Sequence, residues 1–152
     1  MSKSQHYIDY FLSHRKVTNT LIGKMEKENY DYKPTPTSMS AQELALHMLQ
    51  SFYQFTATAA KQTPEVLHQQ GEAVDLVELA ETYTNKTVKL LQSLSDQDFE
   101  EIIDLTDILG AKLPAAQVID MAIDHEINHK GNLFVYVREM GHTDLPMFVA
   151  KG

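Results

Sequence analysis

Two histidines four residues apart are the residues of this sequence best suited to chemistry. They are His125 and His129, the ends of a His-Glu-Ile-Asn-His pentapeptide. On a helix, side chains at positions i and i+4 project from the same face, so both imidazoles can bind one transition metal ion. The pentapeptide also has the H-E-x-x-H pattern of zinc peptidases, in which the glutamate, here Glu126, acts as the general base.

A zinc peptidase needs a third ligand, and the residues downstream do not supply the usual ones. In one class the pattern continues to a glycine and a third histidine, but Asn132 and Val135 stand at those positions. The other class takes a glutamate from a later helix, and the only later glutamate, Glu139, falls on the same predicted helix. Peptidase activity with Glu126 as the base is therefore a minor alternative.

A third histidine, His47, lies on the apolar face of another predicted helix. Burying three imidazoles without partners is costly, and one shared divalent ion would satisfy all of them. The alternative is that His47 is a single hydrogen-bonded core histidine, while the other two serve a surface. Asn132 and Tyr136 follow His129 on its face, where they could line a substrate pocket or simply be helix residues with polar partners.

Helical periodicity predicts four long helical segments, and hence an all-α protein. The first lies around residues 8–25, although Arg15 and Thr18 interrupt its apolar face. The second begins at Ser40, because Ser40 and Glu43 have the spacing of a capping box, and we expect it to end near residue 63.

The third and fourth segments are separated by a longer connection. The third is predicted to begin near Asp75. Pro114 suits the first turn of the fourth segment, and Gly141 suits its C-terminal cap. In the connection between the third and fourth segments, residues 101–105 and 107–110 could form short extended pieces. A four-helix bundle is the natural way to bury four such apolar faces.

Composition limits the classes of function. A chain of 152 residues, 43% of them hydrophobic, is expected to form a single globular domain over residues 1–152. The absence of cysteine excludes disulfides, thiolate metal sites and a cysteine nucleophile, and it fits a cytoplasmic protein. A formal charge of -8 argues against nucleic acid as a partner. No stretch approaches the roughly 20 apolar residues that cross a bilayer, so we expect no membrane insertion.

Several segments together resemble a known family. They are Leu-Ala-Leu-His-Met-Leu around His47, Asp-His-Glu-Ile-Asn-His-Lys-Gly-Asn-Leu around His125 and His129, Gly-Ala-Lys-Leu-Pro at residues 110–114, and Met-Gly followed by Leu-Pro at residues 140–146. With them the chain resembles, over nearly its whole length, the DinB-like (damage-inducible, YfiT-like) family of metalloenzymes. The family commonly has glutamine where this chain has Asn132. The resemblance implies a four-helix bundle of DinB/YfiT-like connectivity, a His47–His125–His129 metal site at one end, and frequent homodimers.

The resemblance also implies a function. Three imidazoles leave an open position on a divalent ion, with zinc or nickel expected first and manganese also compatible. Some members of the superfamily use low-molecular-weight thiols such as bacillithiol or mycothiol. We therefore expect a metal-dependent transferase or hydrolase for a small molecule, with Asn132 and Tyr136 in the pocket. Glu126 is either its general base or an exposed residue beside the site. The alternative is a non-catalytic metal-stabilised bundle or a small-molecule-binding module.

Overall fold

The computed structural model describes residues 1–151, and in this part the chain is mostly helical. The helices are α1 (Lys3–Lys24), α2 (Ala41–Ala59), α3 (Leu76–Gln92), the single turn α4 (Thr106–Leu109) and α5 (Ala115–Glu139). Helix α2 packs against α3 and α5, and α1 packs against the same two helices. Within residues 1–151, no helix is both long and apolar enough to cross a membrane.

The ends of the long helices follow local signals in the sequence. The Ser40 hydroxyl accepts a hydrogen bond from the Glu43 amide, and the Glu43 carboxylate accepts one from the Ser40 amide, which confirms the predicted capping box. The Asp75 carboxylate caps α3 at the predicted place. Gly141 follows α5 with φ +102°, a conformation that glycine adopts at low cost. Helix α2 ends at Ala59, earlier than expected.

The connection before α5 differs in part from the prediction. Strand β1 (Ile102–Leu105) forms where an extended piece was expected. The second expected piece, residues 107–110, is wrong, because this stretch forms α4 and then turns at Gly110 with φ +70°. The partner strand β2 (Ala111–Pro114) pairs antiparallel with β1, so Pro114 ends a strand and immediately precedes α5.

The core consists of two apolar clusters with buried polar side chains at their boundary. One cluster contains Leu21, Leu49 and Leu133, and the other contains Phe11, Phe52 and Ile119. Along α1 and α5 the residues at the boundary are polar yet buried: His14, Arg15, Thr18, Glu126 and Lys130. Arg15 and Thr18, which interrupt the apolar face of α1 in the sequence, therefore point into the protein rather than into solvent.

Candidate metal centre

Helices α2 and α5 bring three histidines together. His47 lies in the second turn of α2, while His125 and His129 lie one turn apart in the middle of α5. The Nε2 atoms of His47 and His125 are 3.0 Å apart, and one ring nitrogen from each of the three residues lies within 4.8 Å of the others. The sequence left open whether His47 faces the pair, and the structure places it there.

The three rings meet edge to face. Their centroids are 4.4 Å apart for His125 and His129, 4.8 Å for His47 and His125, and 5.0 Å for His47 and His129. Around a tetrahedral ion with metal–nitrogen bonds of about 2.0–2.1 Å, ligand nitrogens lie roughly 3.3 Å apart. The 3.0 Å between His47 and His125 is close to that spacing, and the remaining separations, up to 4.8 Å, would need side-chain rotation for the cluster to hold a divalent ion.

The second ring nitrogens also fit a metal-binding role. His47 Nδ1 lies 3.3 Å from the Ser51 hydroxyl, a contact that can orient the ring from outside the cluster. His129 Nδ1 is buried and has no hydrogen-bond partner among residues 1–151. A buried imidazole with an unsatisfied nitrogen costs free energy unless a ligand or an ion compensates. The donor set and this unsatisfied atom are compatible with a metal ion.

The environment of the cluster favours neutral imidazoles. Burial lowers the pKa of His47, and the neighbouring His129 lowers it further. Burial also lowers the pKa of His125, as do His129 and His47, while Glu126 acts in the opposite direction. Metal ions bind the neutral form of histidine, so these shifts keep the ring nitrogens available near neutral pH.

Glu126 lies on a different face of α5 from the histidines and contacts α1. It is 1% exposed, so its interpretation as an exposed flanking residue is wrong. Arg15 Nε donates to one carboxylate oxygen and Arg15 Nη2 to the other, each at 2.9 Å, and the Thr18 hydroxyl donates at 2.7 Å. Burial alone would raise the pKa of Glu126, but Arg15 and Thr18 outweigh burial and lower it. A general base needs a free oxygen near the substrate, and this environment does not favour that role.

Asn132 and Tyr136 lie beside the cluster on the side of His129. All three residues line an open cavity of about 390 Å³. Asn132 is exposed, whereas Tyr136 is buried and donates from its hydroxyl to the Met39 carbonyl at 2.8 Å. The Asn132 amide is therefore available to a ligand, while Tyr136 holds the segment before α2 in place.

A larger cavity of about 830 Å³ opens on the side of His47. Polar side chains dominate its wall: Asp31, Lys33, Gln42, Glu43, Gln50, His68 and Gln70. The ring of His68 is oriented by a 2.7 Å hydrogen bond between its Nδ1 atom and the hydroxyl of buried Tyr83. Met39 lines both cavities, so they adjoin one another across this residue.

Sequence reasoning did not assign functional roles to Arg15 or His68. Arg15 left a signal, because a charged residue on an otherwise apolar helix face needs a buried partner of opposite charge. His68 left none, since it lies between α2 and α3, where no periodicity relates it to the other histidines.

Comparison with known proteins agrees with the geometry. A sequence model of the DinB family matches residues 1–150. The uncharacterized protein YjoA of Bacillus subtilis (strain 168) is 48% identical over 151 residues, which cover 97% of each chain.

Solved structures give the same result. The crystal structure of YjoA, described as a DinB-like protein from Bacillus subtilis, has a TM-score of 0.86 and 45% identity, covering 96% of this chain and 99% of that one. A DinB-like protein from Bacillus cereus ATCC 10987 has a TM-score of 0.79 at 17% identity, covering 94% and 95% of the two chains, and this likeness concerns the fold alone. These matches confirm the resemblance seen in the sequence, and the chain belongs to the DinB family.

Proposed function

We propose that this protein is a metal-dependent enzyme that acts on a small molecule by thiol transfer or hydrolysis. His47, His125 and His129 are its proposed metal ligands. The observation that carries the proposal is the meeting of three imidazoles from two helices, with ring nitrogens within 4.8 Å of one another. Helical proteins commonly build metal sites from side chains on facing helices. We extend the proposal to the four-helix-bundle connectivity of the family, with the metal site at one end.

The metal would supply the reactive centre. A divalent ion such as zinc or nickel, with manganese as a third choice, polarises a bound group and lowers the pKa of a coordinated thiol or water, to about 7 for water on zinc. The cluster contributes three protein ligands from residues 1–151, the number typical of catalytic zinc sites with an open position.

The protein residues around the cluster would bind and orient the substrate. The cavity beside His47, at about 830 Å³, is of the size that holds small-molecule ligands. Its wall carries both charges, Lys33 as well as Asp31 and Glu43, which suits a polar substrate with an amine and a carboxylate. Of the two low-molecular-weight thiols that the family resemblance suggests, bacillithiol carries both groups. On the other side, Asn132 offers an amide to the substrate.

Two alternatives make different demands on the same residues. A non-catalytic, metal-stabilised protein would be expected to close the fourth position with a protein ligand, but within residues 1–151 the cluster holds three histidines and no carboxylate. A zinc peptidase would need Glu126 as its base, and the carboxylate of Glu126 is bound by Arg15 and Thr18. Both observations favour the small-molecule enzyme.

We also propose that the protein forms a homodimer, as the family resemblance suggests. Exposed apolar side chains such as Tyr10 of α1 and Val77 of α3 could contribute to the contact. Light scattering over a range of concentrations is expected to give twice the mass of the chain. A monomer at every concentration would remove this part of the proposal and leave the metal site unaffected.

The central test combines metal content with turnover. Protein purified without chelators is expected to contain about one equivalent of a divalent metal by elemental analysis. The metal-free protein, reloaded separately with zinc, nickel or manganese, is then assayed with electrophiles in the presence of bacillithiol or glutathione, and with ester substrates. We expect turnover with one substrate class and none after treatment with a chelator.

A matched pair of variants makes the test specific. His125→Ala is expected to lose both metal and turnover, whereas His6→Ala, which changes a histidine outside the cluster, should keep both. Loss of turnover in His125→Ala with full metal content would contradict the ligand role. Failure of the unaltered protein to bind any of the three metals would overturn the proposed function.

A further inference from the structure

We propose that the buried Arg15–Glu126 ion pair is a positioning device that sets the geometry of the three histidines. This inference rests on the proposed metal site and deepens it. In this assignment the glutamate of the H-E-x-x-H sequence does not touch the substrate. It holds His125 and His129 in register with His47 through its bond to α1.

Arg15 contacts both of the helices that carry the histidines. Its Nε and Nη2 atoms bind the two carboxylate oxygens of Glu126 on α5, at 2.9 Å each. Its Nη2 atom also donates to the carbonyl of Met48, the residue after His47 on α2, at 3.3 Å. One rigid guanidinium thus links the two helices immediately beside the residues that form the cluster.

The guanidinium is itself held in place. Its central carbon lies 4.8 Å from the ring centroid of Phe11 and 5.6 Å from that of Phe52, and the two rings contact each other with centroids 4.3 Å apart. The side chains of Arg15 and Glu126 are 0% and 1% exposed. A planar group packed against two aromatic rings, with no access to water, has few alternative positions, so it restricts the positions of the groups that it binds.

Helix geometry couples Glu126 to both histidines. Successive residues of an α-helix are rotated by about 100°, so Glu126 lies about 100° from His125 and about 60° from His129 around the axis. When Arg15 and Thr18 hold the carboxylate, they fix the rotation of α5, because the turn that carries Glu126 also carries the two imidazoles. A small rotation of α5 would move both imidazoles together relative to His47.

The ion pair is poorly explained as a source of stability alone. Arg15 Nη1 is buried and has no hydrogen-bond partner among residues 1–151. Removing two charges from water is expensive, and apolar residues of similar volume often replace a buried ion pair without loss of stability. What apolar residues cannot provide is a bidentate bond of defined direction, which is the property that positioning requires.

The experiment therefore separates stability from positioning. The double variant Arg15→Met/Glu126→Leu fills the same space without charges and is compared with the unaltered protein by urea unfolding and by titration of the metal-free protein with Co²⁺. Cobalt is accepted by imidazole sites, and its visible spectrum reports coordination geometry. We expect near-normal stability, a 10–100-fold weaker affinity for Co²⁺, as is typical when a group supporting a metal ligand is lost, and an altered spectrum.

Tyr7→Phe is the matched control. The Tyr7 hydroxyl donates to Asp120 at 2.8 Å and joins the same two helices, about 9 Å along α5 from Glu126. The control removes a bond between α1 and α5 that does not reach α2, so it should leave the affinity for Co²⁺ and the spectrum unchanged.

The outcomes are distinct. If the unaltered protein binds no Co²⁺, the proposed metal site fails, and the positioning role fails with it. If it binds Co²⁺ and the folded double variant binds equally well with the same spectrum, the metal site stands and the positioning role is overturned. If the double variant does not fold, the single variant Glu126→Gln is titrated with Co²⁺ instead, because glutamine keeps the shape of the side chain and removes its charge. A several-fold weaker affinity supports the inference, and an unchanged affinity refutes it.

Discussion

Two faces of helix α5 carry polar residues within two turns, and they differ in how those residues are satisfied. On the face toward α2, His125 and His129 are partly buried. His129 lines a cavity and has a ring nitrogen without a protein partner in the described part of the chain. On the face toward α1, Glu126 and Lys130 are buried and bonded, Glu126 to Arg15 and Thr18, and Lys130 to His14.

The difference shows how one short sequence can serve two purposes. A polar group that already has buried partners is committed to the fold, because any competing ligand must first break those bonds. A polar group that lacks a partner and lies beside a cavity is available to a ligand. The histidine face is therefore suited to chemistry, and the glutamate face is suited to holding the histidines in position.

The largest effect is expected from breaking the ion pair on one side only. Glu126→Leu leaves the Arg15 guanidinium buried without its carboxylate, which should lower the free energy of unfolding by about 3–5 kcal/mol. Urea unfolding of the metal-free protein measures the loss, and the double variant with Arg15→Met should recover most of it. A single variant as stable as the unaltered protein would mean that Arg15 reaches solvent or another partner, and the contrast between the two faces would fail.

On the histidine face, a substitution should leave the stability of the metal-free protein nearly unchanged and remove its stabilisation by zinc. His129→Ala removes no hydrogen bond from the ring Nδ1 to residues 1–151, so in chelator the variant should unfold at nearly the same urea concentration as the unaltered protein. With zinc at about 100 times the dissociation constant, the unaltered protein should gain about 2.7 kcal/mol, and the variant should gain little. Equal stabilisation of both proteins by zinc would place the ion elsewhere.

A substitution at the start of α2 should lower stability without changing either polar face of α5. Ser40→Ala removes the capping bond at the start of α2 and should lower the free energy of unfolding by about 1 kcal/mol. The turn that carries His47 stays in the helix, so affinity for Co²⁺ should remain unchanged. A marked loss of affinity in this variant would show that metal binding follows overall stability, which contradicts a separate role for the two faces of α5.

The smallest change in the free energy of unfolding is expected from a change of pH, because protonation removes no side chain. Burial lowers the pKa of His14 and the Lys130 ammonium lowers it further, while Glu126 opposes them, so the folded protein takes up this proton less readily than the unfolded chain. The contribution of His14 to stability is therefore complete above pH 6.5, the ordinary value, and is lost as pH falls through the lower folded pKa.

The comparison with His14→Gln isolates this effect. The glutamine keeps an acceptor for Lys130 and does not titrate. Below pH 6.5 the stability of the variant should therefore fall less steeply than that of the unaltered protein, as measured by urea unfolding of the metal-free proteins. His47 and His125 also have lowered pKa values and titrate in both proteins, and the difference between the two curves removes their contribution. Parallel curves would show that His14 is not held neutral by its surroundings.

Local features of the fold could be predicted from the sequence. The Ser40–Glu43 capping box placed the start of α2, because capping depends on residues three positions apart. The start of α3 near Asp75 was also predicted, and there the structure adds a cap formed by the Asp75 carboxylate. The hairpin before α5 was only partly predicted. Its pairing of residues 102–105 with residues 111–114 depends on a turn at Gly110 that periodicity does not detect.

That His125 and His129 share a face follows from their spacing, because the pitch of a helix relates residues four apart regardless of what surrounds them. The meeting of His47, 78 residues away, with this pair, and the contact of Arg15 with Glu126 across 111 residues, become visible in the folded protein. Such long-range neighbours depend on how helices pack and rotate against one another. That packing is set by the whole core rather than by the spacing within any one segment.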